Sequence, residues 1–340
     1  MSEHAQVPAA HSAPTRWLRL LGRIVIVVLV ALLASLLVGF IYDTIASRSD
    51  RQRYPPPGRL IDVGGFKLHL YCSGEGIAGE PTVILEAGSG SASPDWGLVQ
   101  PQVSKVARVC SYDRAGYAWS DPGPLPRTSA DLARELHTLL SNAGEAGPYV
   151  LVGHSFGGHT VRMYAHQHPQ DVVGMVLVDA RLESESSNPL FASSRSDANL
   201  AFWEFMARVG FFRLAGKYAW PPIFFSKMPD YPIGVMARPS FFATSRHEDA
   251  TASDMQVQAA GSLGGIPLTV IAHGVPDMFG YLPADQAAQA EEIWQAGQRK
   301  LAESSANGRF MLAEGSGHFI PVERPDLVVD AIRQVLQAVE

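Results

Sequence analysis

Residues 149–158 read Tyr149-Val150-Leu151-Val152-Gly153-His154-Ser155-Phe156-Gly157-Gly158. A β-branched run leads into a serine framed by glycines, and helical spacing follows. This is the strand–turn–helix setting of a G-x-S-x-G nucleophile turn. The spacing has a steric reason. A sharp turn strains the serine backbone and exposes its hydroxyl, and glycines two residues to either side let the chain cross itself without Cβ clashes. Chance produces the same five letters in Gly- and Ser-rich loops, so the flanking strand and helix are what give the motif weight.

Outward from this turn, strand and helix patterns alternate. Residues 60–63 and 66–72, joined by Gly64-Gly65, read as a β-hairpin. Residues 82–86, 106–112, 149–152 and 173–179 are short β-branched runs, with helical spacing at 130–143 and 159–168 between them. Such alternation argues for a mostly parallel sheet with helices on both faces. After Asp179 the pattern breaks. The next stretch is long, irregular and aromatic-rich, and only residues 267–272 resume the strand signal. A structureless connection of that length is out of keeping with a compact domain, so a helical cap is expected at about residues 182–265, after the sixth strand. A strand at 310–313 and a helix at 326–339 close the pattern.

Four segments now stand in a telling order: Glu86-Ala87-Gly88-Ser89-Gly90, Tyr112-Asp113-Arg114-Ala115-Gly116-Tyr117-Ala118-Trp119-Ser120, the turn at Ser155, and Gly315-Ser316-Gly317-His318-Phe319-Ile320-Pro321. Together they resemble the α/β-hydrolase family over residues 58–340. The resemblance implies that family's fold and a serine hydrolase of esterase or lipase type, with a peptidase as an alternative. Ser155 argues against a haloalkane dehalogenase or an epoxide hydrolase, which carry an aspartate at the turn.

A serine hydroxyl is a poor nucleophile until a base takes its proton, and that base needs a third group to orient it. Among eleven histidines, His318 lies where the family's catalytic histidine lies, between a strand and the final helix. Asp277, after the strand at 267–272, is the expected acid and gives the order Ser, Asp, His. Asp179, at the end of the strand after the turn, is the alternative acid. His154 and His159 match variable positions of the motif, and His273 is a neighbour of the expected acid. Asp113 and Arg114 are expected to fix a turn.

The oxyanion formed on attack needs fixed N–H donors. The backbone of Phe156 is one expected donor, and the Gly88-Ser89 loop the other, with Ser89 the residue expected to supply it. Relatives commonly have His-Gly where this chain has Ala87-Gly88. Side-chain help from Ser89 or Ser91 stays open. The cap carries Phe202, Trp203, Phe205, Phe211, Phe212, Trp220, Phe224, Phe225, Phe241 and Phe242. Most are expected to pack the cap on the sheet, and a subset to line an apolar cleft for an ester or amide with an apolar part. No phosphate loop, metal-ligand cluster or dinucleotide fingerprint stands out, so no cofactor and no metal are expected. In the family's sheet order the strands of Cys72 and Cys110 are neighbours. A disulfide and two buried thiols are both open readings, and a disulfide suits an exported domain.

Composition limits the remaining classes. The chain has 340 residues, 46% hydrophobic and 18% charged, too apolar for a disordered protein. Its 33 acidic and 27 basic residues leave a net charge of −6, with no basic block, which excludes nucleic acid as an expected partner. Residues 1–15 read as a disordered tail and 16–42 as a membrane anchor, built on an uncharged run at 24–41. At 1.5 Å per residue that run covers about 27 Å, close to the hydrocarbon thickness of a bilayer. Trp17 and Tyr42 flank it as interfacial rings. A cleavable signal peptide is the competing reading, opposed by the length of the run and the lack of a small-x-small site. Arg16, Arg19 and Arg23 stand before the run and Arg48, Arg51 and Arg53 after it. Only the closer arginines lean towards an N-terminus in the cytoplasm, with the catalytic domain on the periplasmic or extracellular side. Residues 43–57 read as a linker stiffened by Pro55, Pro56 and Pro57.

The sequence thus predicts a membrane-anchored serine hydrolase that cleaves a carboxylic ester or related acyl bond through an acyl-enzyme. An acyltransferase on the same residues and a non-catalytic binding protein on the same fold are the other readings.

Overall fold

The computed structural model describes residues 16–191, 197–236, 238–248 and 250–339. The tail expected at 1–15 lies outside the described residues.

Eight strands form one sheet: β1 Arg59–Asp62, β2 Lys67–Ser73, β3 Thr82–Glu86, β4 Val109–Tyr112, β5 Tyr149–His154, β6 Val172–Val178, β7 Leu268–His273 and β8 Gly308–Ala313. Their spatial order is β1-β2-β4-β3-β5-β6-β7-β8. β1 and β2 pair antiparallel, β2 lies antiparallel to β4, and the rest of the sheet is parallel. The parallel strands β3, β5 and β7 are buried along their whole length. Their Val, Ile and Leu runs lack polar alternation because both faces are covered.

Helices cover those faces. On one side lie α3 (Ser129–Ala143) and α4 (Gly157–Gln167), and on the other α2 (Gln100–Val103) and α13 (Pro325–Val339). α13 buries Val328, Val329, Ala331, Ile332 and Val335, one helical face spaced at three and four residues. α3 opens on a capping box between Thr128 and Asp131 and stops at Gly144, whose φ of 75° is the left-handed turn a helix end takes. Among the described residues, six short helices stand between β6 and β7: α5 Asp197–Arg208, α6 Phe211–Ala215, α7 Pro222–Lys227, α8 Ile233–Met236, α9 Pro239–His247 and α10 Ala250–Ala260. They form the cap. α11 (Ala284–Ala302) and α12 (Ile320–Glu323) complete the chain. α11 packs on β7.

β4 is shorter than expected, because residues 106–108 belong to the turn after α2. The linker expectation needs a larger correction. α1 runs unbroken over Arg16–Arg53, so only Tyr54–Gly58 is non-helical. Asp43, Ser47 and Asp50 recur at four and three residues, one face of a helix, and all three accept hydrogen bonds from Arg213 of α6. That pairing ties the last turns of α1 to the cap. The apolar run before them is exposed along α1 and is long and apolar enough to cross a bilayer.

Cys72 and Cys110 face each other across the β2–β4 ladder and are joined by a disulfide.

Candidate active site

Ser155 sits between the end of β5 and the start of α4 with a φ of 51°, a left-handed conformation that non-glycine residues rarely adopt. The flanking glycines explain how the turn closes. A Cβ on Gly153 would lie 2.7 Å from the Gly157 carbonyl oxygen, and one on Gly157 would lie 2.6 Å from the carbonyl oxygens of Glu86 and Ala87. No side chain fits at either position.

The loop after β8 brings His318 to this hydroxyl. Ser155 Oγ lies 3.1 Å from His318 Nε2. On the other ring nitrogen, His318 Nδ1 lies 2.6 Å from Asp179 Oδ2. The loop is pinned by Glu323, which accepts from the backbone N–H of Gly317 at 2.7 Å. A carboxylate on Nδ1 requires that nitrogen to carry the proton, which leaves Nε2 free to accept from the serine.

The carboxylate on His318 is therefore that of Asp179, the alternative of the sequence reading, and not that of Asp277, the acid the sequence reading preferred. Asp277 is exposed in the turn after β7, with its carboxylate against the backbone of Gly317. Both aspartates follow the ends of neighbouring parallel strands. Asp179 has a φ of 43°, and its carboxylate is wholly buried. Four donors surround that carboxylate: His318 Nδ1, His273 Nδ1 at 2.7 Å, Trp294 Nε1 at 2.9 Å and the His273 backbone N–H at 3.2 Å. Burial disfavours its charge, but the hydrogen bonds from His273 and His318 outweigh that and hold it well below the usual carboxylate range.

His273 carries the other half of this arrangement. Its Nε2 lies 3.0 Å from both oxygens of Glu291 on α11. Burial works against protonation of the ring, yet a carboxylate on each nitrogen pushes its pKa up to about 10. His154 has the opposite fate. Burial and the neighbouring His318 push it down to about 3, so it stands neutral and donates from Nε2 to the His318 carbonyl at 2.9 Å.

The expected oxyanion donors also stand beside Ser155. Gly88 packs so closely that a Cβ there would lie 3.0 Å from the Ser155 Cβ. Among the described residues the backbone N–H groups of Ser89 and Phe156 engage no acceptor. The Ser89 hydroxyl is turned away, donating to Glu248 Oε2 at 2.6 Å, and the Ser91 hydroxyl bonds Asp95. Arg114 fixes the loop from behind. It donates to the carbonyls of Ala87 and Gly88 at 2.6 and 2.7 Å and pairs with Glu86 and Glu248.

This sheet order, with a strained serine after β5 and a histidine after β8, agrees with a match to the family model described as Alpha/beta hydrolase family, over residues 83–331. The chain belongs to the alpha/beta hydrolase family. A protein of Hormonema carpetanum named probable transporter efuK is 28% identical over 304 residues, covering 83% of this chain and 43% of its own length. An AB hydrolase superfamily protein of Gibberella zeae is 25% identical over 286 residues, covering 76% of this chain and 87% of its own. This chain thus spans less than half of the first relative and most of the second. Among solved structures, a thermophilic esterase from Thermogutta terrifontis aligns over 83% of this chain and 98% of its own, with a TM-score of 0.56 and 21% identity. The epoxide hydrolase CorEH aligns over 83% and 99%, with a TM-score of 0.61 and 18% identity. At these identities the likeness to solved structures is one of fold.

On this alpha/beta hydrolase scaffold the cap roofs the site. Beside the Gly90-Ser91 loop and Phe319 lies a cavity of about 710 Å³. Trp203, Phe212, Trp220, Phe224, Phe241 and Phe242 line it, while Phe202 and Phe205 point to solvent. The residues that sequence reasoning missed are those that act through other side chains: Glu291 on His273, Trp294 on Asp179, and Glu248 on Arg114. Glu291 and Trp294 sit three residues apart on one face of a helix, a signal present in the sequence but attached to no motif.

Proposed function

We propose that this chain is a membrane-anchored serine hydrolase that cleaves a carboxylic ester or related acyl bond through an acyl-enzyme. One observation carries the reading: a continuous hydrogen-bonded chain from Ser155 Oγ through His318 to the buried carboxylate of Asp179. Ser155 attacks the acyl carbon as its proton passes to His318 Nε2. The N–H groups of Phe156 and Ser89 receive the developing oxyanion. His318 then returns the proton to the leaving alcohol, and a water deprotonated by the same imidazole releases the acid. Asp179 keeps His318 in the required tautomer and stabilises it when charged. The aromatic cavity under the cap favours an apolar acyl or alcohol part.

The apolar length of α1 supports the anchor. The Cys72–Cys110 disulfide supports a catalytic domain on the oxidising, periplasmic or extracellular side. The test is labelling with a fluorophosphonate followed by peptide mapping. The adduct is expected on Ser155, with Ser155→Ala losing both the label and p-nitrophenyl ester turnover by about 10³-fold or more while keeping its fold. An unlabelled wild-type Ser155, or undiminished turnover in the variant, overturns the assignment.

A further inference from the structure

The contact between α1 and the cap fixes a depth. A Cβ at Gly39 would come 2.3 Å from the Val209 carbonyl oxygen, so the two backbones touch there. Gly39 still belongs to the uncharged run that ends at Ile41. The end of α5 therefore stands level with the last apolar turn of α1, and Arg213 reaches the polar turns beyond, at Asp43, Ser47 and Asp50. The cap segment around these contacts is rich in large exposed apolar side chains: Phe202, Phe205, Phe211, Leu214 at 76% exposure and Tyr218 at 88%. Lys217 and Arg208 lie among them; Arg208 pairs with Glu204 at 2.7 Å, and Lys217 is a long cation that can reach outward. Two of the apolar residues, Phe211 and Tyr218, also line the 710 Å³ cavity, so the cavity borders this segment.

We propose that this cap face is a docking surface for the bilayer that α1 crosses, and that the cavity opens into that bilayer to take long-chain acyl esters from it. A patch of this kind, exposed in water, is costly and marks an interaction site. Its position beside a spanning helix selects the lipid interface as the occupant. Exposed Phe, Tyr and Leu with a lysine among them are the composition of an interfacial element. The docking claim rests on α1 spanning the membrane, and the substrate claim rests on the serine hydrolase reading.

The full chain in vesicles of phosphatidylethanolamine and phosphatidylglycerol tests both. An environment-sensitive fluorophore on Leu214→Cys is expected to be quenched by doxyl-labelled lipid. The same fluorophore on Ile77→Cys, an exposed apolar site before β3 and away from the cap, is expected to stay unquenched. Equal quenching at the two positions overturns the docking. So does a Leu214 label shielded from water without lipid quenching, the sign of a second copy covering the face. The double variant Phe205→Asp/Leu214→Asp is expected to lose about tenfold activity on a bilayer-borne long-chain ester and none on a short soluble ester. Equal loss on both substrates overturns the access route. Should the wild type hydrolyse neither ester, the enzymatic reading fails, and the quenching pair still decides the docking.

Discussion

The carboxyl edge of the sheet and the cap above it are built on opposite principles. Around Asp179 polar groups are densely paired: one carboxylate takes four donors, and His273 places a carboxylate on each ring nitrogen. The cap, in contrast, offers aromatic rings. Phe212 stacks on Phe242 at 4.9 Å between centroids, and Trp220 and Phe242 each meet Phe241 edge-on. The difference separates two tasks. Holding charge where a reaction will need it requires fixed dipoles in a dry setting, because a buried charge without partners is expensive. Accepting an apolar chain requires only volume and shape, which rings provide with little side-chain entropy to lose.

Variants at the two regions should therefore fail differently. The largest effect is expected at the edge. Asp179→Asn removes the charge that orients His318 and should lower kcat by about 10³–10⁴-fold with little change in KM. Asp277→Asn should leave ester turnover near wild type. Steady-state kinetics on one soluble ester check both, and the reverse ranking would restore Asp277 as the acid. In the cap, Phe242→Ala should raise KM for a long-chain ester by about tenfold and spare a short one. A uniform fall in kcat would instead tie the cap to the chemistry.

The smallest effect is on stability against pH. His273 is raised to about 10, above an unfolded value of about 6.5. Its stabilising contribution is thus full below about pH 6.5 and is lost as pH climbs through 10. His154 has the reverse sign. Held near 3, it favours the folded state above about pH 6.5 and withdraws that support as pH falls towards 3. Denaturant titrations should show the alkaline slope diminished in His273→Asn and the acid slope diminished in His154→Asn. A His273→Asn protein with an unchanged alkaline limb would contradict the carboxylate-bridged imidazolium.

Much of this was legible in the chain. The turn at Ser155 is a local steric object, and Gly153 and Gly157 announce it because no other residue fits there. The parallel strands were readable because burial on both faces leaves continuous Val, Ile and Leu runs. Boundaries fared worse where distant partners were involved, as at the end of α1, which continues past Tyr42 against Arg213 and neighbouring cap residues. α11, with Glu291 and Trp294, escaped notice because these residues act on His273 and Asp179 and carry no motif of their own.

The sequence by itself marked Ser155, His318 and the layered sheet, since each follows from local sterics, periodicity or a short motif. Only the tertiary structure decided between Asp179 and Asp277. Both stand just past the ends of adjacent strands with similar local signals, and the choice turns on which carboxylate is enclosed with donors at the point where His318 arrives. It likewise decided which aromatic rings face the cavity and which face outward, because that depends on how six short helices pack, a matter no single stretch of chain contains.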